Sequence, residues 1–207
     1  MEIENYPKLT VIMRGYSYEQ AMLIIKLLSN YDKKVGVEVT TNNPDYLKII
    51  KDGNDQYGEQ VYIGVGTVQT KEQAQDAINA GAKFMLGPQS FTQDIYDLAQ
   101  QTGVVTVPGA MTPTEIQYEF SKGADIVKVF PAITVGSTFF KQLAGPMAGL
   151  RLMAVGGVNL DNAKEFMTAG AGYLGIGSSF FNKQDLKNLD EDSLNESIQN
   201  FLAEINM

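Results

Sequence analysis

The chain has no cysteine, no histidine and no tryptophan. The first two absences exclude much chemistry at once: disulfides, thiolate nucleophiles, Cys/His metal sites and any histidine-activated serine. Cations are also scarce, 16 Lys and Arg against 24 Asp and Glu, for a net charge of −8. A protein that grips a phosphate backbone needs clustered cations, so nucleic acid is not an expected partner. An anionic small molecule stays admissible, because a few local donors outweigh the global charge at a site. No apolar run approaches the roughly 18 residues of a membrane span. Met1-Glu2-Ile3-Glu4-Asn5 lacks the basic start of a signal peptide, so no membrane association and a cytoplasmic location are expected. Lysine, carboxylates, Tyr, Ser, Thr and backbone remain as reactive groups. If the chain is an enzyme, covalent amine chemistry with a carboxylate proton carrier is the most economical reading, with no metal and no cofactor.

With 207 residues, 44% of them hydrophobic and 19% charged, the chain reads as one globular domain spanning residues 1–207. Apolar runs bounded by Gly and Pro alternate with segments of helical period. The expected strands are Leu9 to Met13, Val35 to Val39, Val61 to Val65, Phe84 to Leu86, Val104 to Val107, Ile126 to Val129, Leu152 to Val155 and Tyr173 to Ile176. Helices are expected to begin near Tyr18, Asp45, Lys71, Thr92, Pro113, Thr138, Asp161 and Asp190. Thr112-Pro113-Thr114-Glu115 reads as a capping box with proline at the first helical position, and Asn159 as a second polar cap. Eight strand–helix units at near-uniform spacing, with no sign of a topological switch point, favour an α/β class (β/α)8 TIM barrel over an open parallel sheet. The residues through Pro7 would cap its bottom, and a last helix over Asp190 to Ile205 would join the outer layer.

A barrel builds its site at the C-terminal ends of its strands. Strand by strand the groups expected there are Arg14, Glu38 with Thr40, Thr67, Pro88, Pro108, Lys128, Gly156-Gly157 and Gly177-Ser178. Lys128 is set among Ile126, Val127, Val129 and Phe130. Alone, that reads as a strand-end lysine extending into solvent. Glu38, equally out of place in Val35-Gly36-Val37-Glu38-Val39, changes the reading, because a buried lysine and carboxylate facing each other shift each other's proton affinity. The pair is expected to meet across the barrel. The glycine turns after the seventh and eighth strands offer bare N–H groups to a phosphate, and Arg14 could add a cation.

These motifs resemble the 2-keto-3-deoxy-6-phosphogluconate / 4-hydroxy-2-oxoglutarate aldolase family, class I aldolases on a trimeric TIM barrel. The likeness runs through Val11-Ile12-Met13-Arg14-Gly15, Val37-Glu38-Val39-Thr40, Gly64-Val65-Gly66-Thr67-Val68, Val107-Pro108-Gly109, Val127-Lys128-Val129-Phe130-Pro131-Ala132, Gly156-Gly157-Val158 and Gly175-Ile176-Gly177-Ser178. The resemblance implies that Lys128 forms a Schiff base with a keto carbon while Glu38 shuttles protons. It implies that Thr67 holds the pyruvyl carboxylate, that Pro88 shapes the pocket, and that Arg14, Gly156, Gly157, Gly177 and Ser178 cradle a phosphate. Its substrates would be phosphorylated keto acids and pyruvate, its assembly a homotrimer.

Two departures from the gluconate pattern stand out. Thr41-Asn42-Asn43-Pro44 occupies the place of an arginine that commonly follows Glu-Val-Thr, leaving the carboxylate to Thr67, backbone donors or Asn42. Val155 stands before the paired glycines where a threonine is usual, and the segment looks more like the 6-phosphogalactonate branch. A phosphosugar isomerase with Glu38 as base, and a barrel that binds a phospho-ligand without turning it over, are the competing readings.

Overall fold

The computed structural model describes residues 1–206. Nine parallel strands form one sheet: β1 Leu9–Met13, β2 Val35–Thr40, β3 Ile63–Gly66, β4 Phe84–Leu86, β5 Val105–Val107, β6 Gly109–Ala110, β7 Val127–Val129, β8 Leu152–Val155 and β9 Tyr173–Ile176. They run in the order β5-β4-β3-β2-β1-β9-β8-β7-β6. Because β5 and β6 are two parts of one stretch, interrupted only at Pro108, the two ends of that order meet and the sheet closes on itself. The eight expected staves are therefore present, the fifth in two pieces. Proline has no N–H to give a ladder, which is why the stave breaks there. Closure is carried by the N–H groups of Ile126, Lys128 and Phe130, which donate to the carbonyls of Thr106, Pro108 and Ala110 at 3.1, 2.8 and 3.0 Å.

Helices α1 Tyr18–Leu28, α2 Tyr46–Tyr57, α3 Lys71–Asn79, α4 Gln93–Thr102, α5 Pro113–Ser121, α6 Ala132–Leu143, α7 Leu160–Thr168, α8 Lys183–Asn188 and α9 Glu191–Glu204 surround the barrel. Four carry complete capping boxes, Ser17 with Gln20, Thr70 with Gln73, Thr112 with Glu115, and Asn159 with Asn162. Each cap is worth about 1 kcal/mol. Outward strand residues such as Val11, Val37, Val39 and Val65 pack with the helices into one apolar layer. Leu194, Ile198, Phe201, Leu202 and Ile205 bury the inner stripe of α9 in that layer, as their helical spacing predicts. The barrel interior is a second cluster that includes Ile12, Phe84, Leu86, Val107, Ile126, Met153 and Val155. Tyr6 closes its lower end, meeting Phe84 and Tyr173 edge to face at 5.1 and 5.5 Å.

The sequence reading differs from the structure at particular points. Strand ends shift by a residue or two at Thr40, Ile63, Gly66, Val105 and Val127. Helix α6 starts at Ala132, not near Thr138, because a first turn forms before a break at Gly136, whose φ of 74° and ψ of 170° are not helical. Helix α8 was not expected, nor was β6.

Candidate active site

The structure buries both charged residues that looked misplaced in their strands. Glu38 is 1% exposed and Lys128 5% exposed. Period-two alternation turns Glu38 inward while Val37 and Val39 face the helices. The space for its carboxylate comes from β3: a Cβ at Gly66 would lie 1.6 Å from Glu38 Oε1. One stave further, a Cβ at Gly64 would collide with the Phe84 ring at 2.3 Å. The glycines of Gly64-Val65-Gly66 are therefore clearances, the upper for the carboxylate and the lower for the aromatic floor.

Burial pushes the Glu38 carboxyl above its usual range, opposed by the charges of Lys128 and Arg14. It pulls the Lys128 ammonium below its usual range; Glu38 opposes that shift and Arg14 adds to it. The two groups feel each other's charge but do not close an ion pair. Among the described residues the ion pairs are Lys26–Glu191, Lys48–Asp52 and Lys51–Asp55, all on helices of the outer layer. Direct pairing of Glu38 with Lys128, expected from the sequence, is thus corrected: each reaches the same chamber from its own stave, and Glu38 Oε2 has no protein partner. That arrangement leaves both groups free to engage a third party between them.

Beside this pair, a cavity of about 350 Å³ opens at the C-terminal mouth of the barrel. Its wall includes Arg14, Val155, Gly156, Gly157, Gly177 and Ser178, together with Ile12, Phe130, Asn159 and Ser179. The Phe130 ring, whose centroid is 5.4 Å from Lys128 Nζ, joins cavity to chamber. Gly156 and Gly157 take φ of 92° and 79°, conformations that suit glycine, and precede the N-terminus of α7. Such a turn and helix start present N–H groups to an anion.

Arg14 Nη2 donates to Thr67 Oγ1 at 3.4 Å. Thr67 holds φ at 60°, left-handed for a β-branched residue, at a cost of about 1–3 kcal/mol. Its turn is pinned from just beyond β2, where Thr41 Oγ1 donates to the Thr67 carbonyl at 2.9 Å and Thr41 N to the Gly66 carbonyl at 2.9 Å.

One expected pocket residue lies elsewhere. Asn42 is exposed in a separate groove with Gly15, Ser17, Pro44 and Asp45. The cause is its neighbour: the buried Asn43 amide donates to the Tyr16 carbonyl at 2.8 Å and accepts from Asp45 N at 2.9 Å. That ties the loop to the β1–α1 connection and away from the chamber. Pro88 lines an adjoining cleft with Gly109, Met111, Glu115 and Phe130, the ring that also borders the cavity. Phe130, Asn159 and Ser179 were not singled out as pocket residues, although Phe130 follows Lys128 at the two-residue spacing that puts it on the same face. A larger cavity of about 570 Å³ sits at the opposite face, among Met1, Ile3, Val104 and Asp125, far from the strand C-termini.

Comparison with known proteins gives the chain its relatives. A chain of Rhizobium meliloti named "Probable 2-dehydro-3-deoxy-6-phosphogalactonate aldolase" is 30% identical over 84% of this chain and 81% of its own length. The 2-dehydro-3-deoxy-6-phosphogalactonate aldolase of Escherichia coli is 28% identical over 87% and 88%. In fold, the chain superposes with a TM-score of 0.82, at 23% identity over 94% of each chain, on KDPG aldolase from Legionella pneumophila, solved with pyruvate captured as a covalent carbinolamine intermediate. The family model described as KDPG and KHG aldolase matches residues 3–197, and with it the chain belongs to the KDPG and KHG aldolase family.

Proposed function

We propose that this aldolase cleaves a 2-keto-3-deoxy-6-phospho sugar acid to pyruvate and glyceraldehyde 3-phosphate through a Schiff base on Lys128, with 4-hydroxy-2-oxoglutarate as a second substrate class giving glyoxylate. The observation that carries the reading is the buried, unpaired facing of Lys128 and Glu38 beside a cavity walled by Arg14 and two glycine turns. The neutral amine adds to the keto carbon, and a proton from the Glu38 carboxylic acid lets the carbinolamine oxygen leave as water, giving an iminium and a carboxylate. Glu38 then takes the proton of the C4 hydroxyl as the C3–C4 bond breaks. Its electron pair forms the enamine while the iminium charge is neutralised. The same proton returns to C3, and hydrolysis releases pyruvate.

Arg14, Gly156, Gly157, Gly177 and Ser178 are assigned to the phosphate, and Thr67 with the Arg14 guanidinium to the carboxylate end. One arginine between the two ends would supply the cation missing after Glu-Val-Thr. Replacing Arg14 with alanine is expected to raise KM for the phosphorylated substrate by roughly 10- to 100-fold, the range for hydrogen bonds to charged groups. Steady-state kinetics on phosphorylated and unphosphorylated keto acids check this, with a smaller effect on the latter. Val155 in the cavity wall favours the 6-phosphogalactonate epimer, because an apolar side chain there offers no hydrogen bond to a sugar hydroxyl. Side-by-side assays of the two epimers should give the higher kcat/KM to the galactonate form, and equal values would remove that preference. The working form is assigned as a cytoplasmic homotrimer, which sedimentation of the purified chain tests. The reaction itself is tested by borohydride reduction with pyruvate: a mass gain on the Lys128 peptide supports it, and an unlabelled peptide in active protein sinks it.

A further inference from the structure

Four buried side-chain oxygens or nitrogens among the described residues have no protein hydrogen-bond partner: Glu38 Oε2, Thr40 Oγ1, Asn54 Oδ1 and Glu119 Oε1. Asn54 and Glu119 belong to α2 and α5, outside the barrel. The other two lie on one strand, two residues apart, at its C-terminal end. Gly36, Glu38 and Thr40 share a face by alternation. A Cβ on Gly36 would meet Pro7 and Phe84 at the closed end, and Glu38 occupies the clearance at Gly66, so this face looks into the barrel. Thr40 is 0% exposed and pairs in register with Gly66, which offers it no side chain.

Packing does not explain a hydroxyl at this position. Val35, Val37 and Val39 are the other branched residues of the strand, and valine has the shape of threonine. A buried hydroxyl left without a partner is a net cost. Two steps of strand span about 6.6 Å, and an oxygen hydrogen-bonded at about 2.8 Å to each side bridges most of that distance.

We propose that Thr40 is a further residue of the reaction site, its hydroxyl and the free oxygen of Glu38 together holding the oxygen atom that leaves the keto carbon as water. The proposal rests on the Schiff-base reading above. In dehydration the Glu38 acid protonates the carbinolamine oxygen, the C–O pair stays with that oxygen, and the nitrogen lone pair forms the C=N bond. The departing water donates one O–H to the new carboxylate and the other to Thr40. In hydrolysis the same water adds to the iminium carbon, the C=N π pair returns to nitrogen, and the water's proton passes to Glu38.

The test uses Thr40→Val and Thr40→Ser in the intact protein, with borohydride trapping of pyruvate on Lys128 followed in time, steady-state kinetics and thermal unfolding. The valine variant is expected to slow trapping and kcat by roughly 3- to 10-fold, the range for one neutral hydrogen bond. KM should stay within about twofold and the melting temperature should not fall, because the substitution removes an unsatisfied buried hydroxyl. The serine variant should recover most of the rate. Trapping at the wild-type rate in Thr40→Val overturns the role of Thr40 and leaves the Schiff base standing. Slowed trapping with a lowered melting temperature and no recovery by serine also overturns it, as a packing effect. Wild-type protein that pyruvate and borohydride fail to label overturns both.

Discussion

Lys128→Met should lower kcat/KM by roughly 10⁴- to 10⁶-fold, the scale on which loss of a covalent nucleophile is felt. Methionine fills the space of the aliphatic stem without the amine, so folding is not the reason for the loss. In the wild-type protein kcat/KM should rise with pH as the amine loses its proton, with a midpoint below the ordinary lysine value of about 10.4, because burial depresses Lys128. A rise centred at the ordinary value would contradict the burial argument. The site also costs stability. The penalty of Glu38, whose carboxyl is raised, grows as pH climbs from the unfolded value of about 4.3; that of Lys128, whose ammonium is lowered, grows as pH falls from about 10.4. The double variant Glu38→Leu with Lys128→Met should therefore be more stable by about 1–4 kcal/mol near neutral pH. That gain should shrink toward either extreme, measured by urea denaturation across the range.

Gly66→Ala is expected to lower kcat by roughly 10²- to 10⁴-fold, the contribution of a positioned general acid–base group. Gly66 does not adopt a left-handed φ, so its backbone accepts alanine. The obstacle is the carboxylate: the new Cβ would sit 1.6 Å from Glu38 Oε1 and 2.1 Å from its Cδ. Glu38 must vacate its place, and overpacking of this kind destabilises by about 1–3 kcal/mol. Kinetics and denaturation on one preparation read both effects. A variant with wild-type kcat would mean that the carboxylate does its work from another position.

Much of the fold was legible because the staves and most helix starts announce themselves locally. Capping residues such as Thr112 with Glu115, glycine returns and uniform spacing need no long-range information. Lys128 and Glu38 stood out for the opposite reason, that charged residues in apolar strands break the local pattern. What escaped depends on three-dimensional relation. Asn42 and Asn43 are the same residue type side by side, and which one turns inward is decided by the Tyr16 carbonyl on another connection. The clearance at Gly66 needs the register of β3 on β2 before it means anything. Helix α6 escaped because its first turn precedes a glycine break that ordinary helical periodicity does not describe.

The break at Pro108 bears on the fidelity of assembly. A strand that shifts by one residue against its neighbour turns every side chain to the other face. For the seventh strand such an error would point Lys128 at the helices and bring Val127 or Val129 into the chamber. Pro108 can accept from the Lys128 N–H, as it does at 2.8 Å, but cannot donate. Shifted alignments that put it opposite a carbonyl needing a donor are penalised. The last seam of the barrel to be numbered thus carries its own proofreading, and Lys128 is kept facing the interior as the cylinder shuts.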